Sequence, residues 1–156
     1  MIPDRLSILY LSQMPPSPPR FGAQARMHGL MTSVARRHEI TAVSLVDPEF
    51  DLEDCRRAMR EYCSEVVLVP NPNGRAGMAK RTLQLRSLAS LHSFEHLRYT
   101  VPALQEALDR VLRSRRFDVV NLEFPYLGDY HLKQAPAGLR PPALVGDSHA
   151  LAYALV

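Results

Sequence analysis

The chain has 156 residues, of which 46% are hydrophobic and 22% charged, and a formal net charge of +3. That is about one domain's worth of chain, ample for a single core, and no apolar run approaches the roughly 20 residues a membrane helix needs. The opening Met1-Ile2-Pro3-Asp4-Arg5 lacks the basic region, long apolar stretch and small-residue cleavage site of a secretory signal, so a cytoplasmic protein is expected.

Strand and helix signals alternate along the chain, the pattern of a parallel sheet with crossover helices. A first strand is predicted at Leu6–Leu11, and the stretch from Gln13 to Arg26, with prolines at 15, 16, 18 and 19, leads through Gly22 into an amphipathic segment over Ala23–Arg37. There Met27, Leu30, Met31 and Val34 fall at i, i+3, i+4, i+7, one buried helical stripe. A second strand follows at Glu39–Val46, then a helix at about Leu52–Tyr62 with Leu52, Cys55, Met59 and Cys63 on its apolar side. Cys55 and Cys63, eight apart on that helix, would lie about 12 Å apart at 1.5 Å per residue, too far for a disulfide, and are expected as small buried hydrophobes.

A third strand is expected at Val66–Val69, followed by a loop at Pro70-Asn71-Pro72-Asn73-Gly74 and a basic segment from Arg75 to Arg98. Arg75, Lys80, Arg81, Arg86 and Arg98 are opposed there only by Glu95, with Met78, Leu83, Leu85, Leu88 and Leu91 interleaved. Such a surface suits peripheral contact with an anionic membrane or a phosphorylated lipid acceptor, or is simply a solvated face over a core stripe; no nucleic-acid motif accompanies the charge. Pro102 starts a helix at a position that needs no N–H, running to Arg115 with Leu104, Leu108, Val111 and Leu112 on one face. The last strands are Asp118–Leu122 and Ala143–Val145. No repeat, low-complexity tract or glycine–serine linker divides the chain, so residues 1–156 are expected as one domain.

The sequence order points to the loop after the first strand as the active-site edge. A buried strand, a stiff loop and a glycine at the mouth of a helix bring backbone N–H groups to the carboxyl end of a parallel sheet, where open α/β folds bind anions. No G-x-G-x-x-G follows that strand, which argues against a dinucleotide site. No G-x-S-x-G elbow appears, so a hydrolytic triad is not expected. The match of Pro15, Pro18 and Arg20 to an SH3-ligand pattern is discounted because it joins core elements.

The proline-rich loop ending in Gly22, the Arg four residues on, the helix closing in Ala35-Arg36-Arg37-His38-Glu39-Ile40-Thr41, the strand Phe117-Asp118-Val119-Val120-Asn121-Leu122-Glu123 and the strand Ala143-Leu144-Val145-Gly146-Asp147-Ser148-His149 together resemble the amino-terminal domain of family 4 glycosyltransferases. The resemblance covers nearly the whole chain through short, degenerate motifs. It implies a Rossmann-like α/β fold, a parallel sheet with helices on both faces, as in the acceptor-side domain of a GT-B enzyme. It further implies a retaining transfer of sugar from a nucleotide-sugar donor to a sugar or lipid-linked acceptor hydroxyl, with no metal and no cofactor beyond the donor. That family works in the cleft between two such domains, so the nucleotide-sugar-binding carboxyl-terminal domain is expected to be missing and this chain alone inactive.

By that resemblance Gly22 and Arg26 would contact the donor phosphates and His149 would be the catalytic residue beside the transferred sugar, while Glu123 and Asp147 would bind the acceptor. Phe21-Gly22-Ala23 stands where the family often has two glycines, so Gln24 is an equal candidate for the phosphate loop. From the residues themselves, Gly22 could simply permit a turn, Arg26 could be a solvated helix residue, and Asp147 could cap a following helix. The competing function is a free-standing, flavodoxin-like binding module without catalytic activity, because fold alone does not fix function.

Overall fold

A computed structural model describes residues 4–74, 81, 82, 84, 85, 87, 93–132 and 141–147. Five strands form one all-parallel sheet: β1 (Ser7–Ser12), β2 (Glu39–Val46), β3 (Glu65–Pro70), β4 (Val119–Glu123) and β5 (Ala143–Asp147), in the order β3-β2-β1-β4-β5. The helices α1 (Gly22–Ala35), α2 (Leu52–Arg60), α3 (Phe94–Tyr99) and α4 (Pro102–Ser114) accompany them among the described residues. The predicted elements appear with ends moved by one or two residues. β5 runs to Asp147 instead of Val145, and α2 stops at Arg60, which leaves Cys63 in the turn beyond it.

The order is Rossmann-like, with the direction in which successive strands are added reversing between β1 and β4 while all strands stay parallel; a flavodoxin-like sheet would run 2-1-3-4-5, so the competing module is not matched in its strand order. Alternate residues of each strand serve opposite faces. Leu9, Leu11, Val43, Leu45 and Val120 pack on Leu104, Leu108 and Val111 of α4, while Tyr10, Ile40 and Ala42 pack on Met31, Met59 and Cys63. Helices therefore cover both faces. The predicted stripe on α4 is wholly buried; on α1 Met27 and Met31 are buried but Leu30 is exposed. Both cysteines are free and buried.

Local chemistry sets the helix ends. The Asp51 carboxylate accepts from the Asp54 N–H at 2.8 Å and caps α2, whose first turn is acidic and last turn basic, as the helix dipole favours. Pro102 opens α4 as predicted. The proline-rich loop is tied down from beneath: buried Ser17 shares hydrogen bonds with His28 Nδ1 (2.7 Å) and the Tyr62 hydroxyl (2.5 Å), whose rings meet edge to face. Gln24, fully buried on α1, donates to the Pro15 carbonyl at 2.6 Å and accepts from the Arg20 N–H at 2.9 Å. With both ends of its amide used this way, Gln24 is a strut of the loop and is not presented to a ligand.

Candidate functional site

Parallel register decides which side chains meet at the carboxyl edge. Tyr10 of β1 lies opposite Asn121 of β4, Ser12 opposite Glu123, and Glu123 opposite Asp147 of β5. Tyr10, Asn121, Glu123 and Asp147 therefore share the face covered by α1, and α1 adds Arg26 one turn after its first residue. Glu123 is fully buried. Its Oε2 accepts from the Tyr10 hydroxyl at 2.6 Å and from Asn121 Nδ2 at 3.2 Å, and its Oε1 lies 3.5 Å from Arg26 NH1. The other arm of Arg26 donates to Asp147 Oδ2 at 2.7 Å.

The cluster is a buried carboxylate backing an exposed one, bridged by a guanidinium. Arg26 is about half exposed and the Asp147 side chain 22% exposed, so these two face solvent while Glu123 stands behind them. The hydrogen bond to Asp147 raises the Arg26 pKa further, keeping it charged. Burial, then the bond and the charge of Glu123, push the Tyr10 hydroxyl far above its ordinary range, which makes it a permanent donor to that carboxylate. One cation faces two carboxyl groups, so a phosphate at Arg26 would also meet Asp147.

Two further features lie at this edge. Phe124, directly after β4, has φ of 78°, a left-handed conformation rare for a bulky residue, while its N–H donates to the Asp147 carbonyl at 2.8 Å. A mostly apolar cavity of about 290 Å³, lined by Ile8, Tyr10, Met31, Val119, Val145 and others, runs beneath Asp147.

Gly22 is the first residue of α1, one turn before Arg26; Phe21 before it supplies no side-chain cap, so the first-turn N–H groups owe nothing to a capping side chain. A Cβ at residue 22 would meet nothing within 4 Å. Packing does not require this glycine, and the space above it is open. The structure thus brings Glu123 and Asp147 each into contact with Arg26. His149 lies outside the described residues.

Sequence reasoning missed Tyr10 and Asn121. Tyr10 was available as a signal, since a tyrosine inside an apolar strand must find a partner for its hydroxyl. The basic segment is only partly described: residues 81, 82, 84, 85 and 87 are helical, Arg81 and Leu85 are exposed, and Arg98 is paired with Asp47 at 2.6 Å instead of standing opposed by Glu95 alone. Lys80, Arg75 and Arg86 lie outside the described side chains. Among the described residues no group of three or more His, Cys, Asp or Glu could hold a metal ion, and no helix is long and apolar enough to cross a membrane. No family model, curated protein or solved structure matches the chain.

Proposed function

We propose that this chain is the acceptor-side, Rossmann-like domain of a retaining, nucleotide-sugar-dependent glycosyltransferase. The observation that supports this most is the Arg26–Glu123–Asp147 cluster at the carboxyl edge of β1, β4 and β5, where the strand order reverses and α/β proteins place their ligands. In this reading the open first turn of α1 at Gly22 offers N–H groups to the donor diphosphate, whose negative charge grows as the sugar leaves. Asp147, held by Arg26, accepts a hydrogen bond from the acceptor hydroxyl and fixes it against the anomeric carbon. Glu123 and Tyr10 hold Arg26 in place from behind. His149 is the residue beside the transferred sugar, two positions beyond β5. A second domain supplies the grip on the nucleotide sugar, so residues 1–156 alone transfer none.

The test is a panel of nucleotide sugars offered to the natural full-length protein with sugar and lipid-linked alcohols as acceptors. Acceptor-dependent release of a nucleoside diphosphate, with retention at the anomeric carbon, is the expected result. A ligand bound by residues 1–156 with no transfer by the full-length protein would favour the binding module instead.

A further inference from the structure

A second cavity, of about 650 Å³, opens at the carboxyl ends of β2 and β3 beside the first turn of α4. Its wall is mostly apolar, with Val46, Phe50, Val69 and Val101 among the lining residues, and Asp47 and Asn71 supply its polar side chains. This end of the cavity is built with care. Asp47 Oδ1 accepts from Asn71 Nδ2 at 2.8 Å, and Oδ2 accepts from Arg98 NH2 at 2.6 Å.

Asn71 is itself locked: it is 2% exposed, its N–H donates to the Val46 carbonyl at 2.8 Å, and its Oδ1 accepts from the Asn73 N–H at 3.0 Å. The chain then passes so close that a Cβ on Gly74 would lie 2.2 Å from Asp47 Oδ1. Only a residue without a side chain leaves the carboxylate where it is.

These constraints define the ligand's chemistry. Arg98 already compensates the charge of Asp47, so a cation gains little there, and an anion would meet the carboxylate. A carboxylate has about four acceptor positions, and the two donors leave capacity for a hydroxyl. The volume falls within the roughly 300–1,000 Å³ of small-molecule pockets, which pair apolar walls with a few placed polar groups.

We infer that this cavity binds a neutral, largely apolar small molecule carrying a hydroxyl group, which donates to the Asp47 carboxylate while its apolar body fills the space between Phe50 and Val101. The site stands on the cavity itself and is independent of any sugar transfer at the Arg26 cluster.

The experiment titrates 2-naphthol, and in parallel its methyl ether 2-methoxynaphthalene, into the isotope-labelled chain and follows amide resonances. Saturable shifts centred on Asp47, Asn71 and Ala103 are expected, with the ether, which has no donor, binding at least about fivefold more weakly for want of one hydrogen bond. Ala103 lines the cavity from an exposed position, so Ala103→Trp should block it and abolish binding while the melting temperature stays near wild type. Ala103→Leu, a smaller plug, replaces it if the larger variant fails to fold. Absence of saturable shifts, shifts centred elsewhere, or binding unchanged by the plug would overturn the site; equal affinity for the ether would overturn the role of Asp47.

Discussion

Tyr10→Phe removes one oxygen from the buried half of the cluster and leaves the ring packed on Met31, Ile40 and Ala42. What is lost is the 2.6 Å bond to Glu123 Oε2, a carboxylate oxygen with no exposure to water. Hydrogen bonds to charged groups contribute about 1.5–3 kcal/mol, and a buried acceptor deprived of its donor cannot recover the loss from solvent. Asn121 still donates to the same oxygen at 3.2 Å, which places the expected cost near the lower end, about 2 kcal/mol. For a chain of this length that lowers the melting temperature by about 4–8 °C. Urea unfolding followed by circular dichroism measures it, and a double-mutant cycle with Glu123→Gln assigns it to the pair: once Gln stands at 123, the second change should cost clearly less. A Tyr10→Phe protein within about 0.5 kcal/mol of wild type, the scatter of an ordinary surface change, would refute the claim that Tyr10 anchors Glu123.

Three further outcomes are expected. Stability should hold up to about pH 8 and fall from about pH 9 upward: burial raises Cys63 and Cys55 from an ordinary 9.0, raises Tyr10, Tyr62 and Tyr130, and raises Tyr99 to about 12 from an ordinary 10.0. Unfolded thiols and tyrosines then release protons that folded ones keep, so for Tyr99 the loss spans pH 10 to 12, with a limiting slope of about 1.4 kcal/mol per pH unit; denaturant titrations across pH 8–11 read it. Burial pushes the Cys63 thiol up to about 12 and also raises Cys55, so at pH 8 Cys63 should react with a disulfide reagent at least about 100-fold more slowly in the folded chain than after unfolding, and Cys55 should be slowed as well. Gly74→Ala should displace Asp47 from both Asn71 and Arg98 at about 1–3 kcal/mol, read as a lower melting temperature, and the same change on an Arg98→Met background should cost less.

Much of the fold was legible because apolar periodicity and proline placement agree. The stripe Leu104, Leu108, Val111 and Leu112, opened by Pro102, lies buried as predicted, and β2 has the expected ends. Leu30 fits its stripe on paper yet is exposed, because it borders the open cavity between α1 and the sheet instead of packing against a neighbour. Glu123 and Asp147 could be placed at the strand ends from sequence, but their pairing could not. It depends on β4 inserting beside β1 and on a one-to-one register with β5, and neither is written in local pattern. Phe124 shows the same limit more sharply. A residue before proline reads as extended, whereas the turn after β4 holds it at positive φ, a conformation imposed by tertiary contacts. Gln24 reads as a polar residue near a phosphate loop and is instead the buried brace of that loop.

The most direct measurement is the kcat/KM for acceptor in nucleoside diphosphate release by the natural full-length protein, compared between wild type and Asp147→Asn. Loss of a charged hydrogen bond to the reacting hydroxyl predicts a fall of about 10- to 100-fold, with the melting temperature little changed. Transfer at the wild-type rate by Asp147→Asn, or no release from any nucleotide sugar by either protein, would contradict the assignment of this edge to sugar transfer.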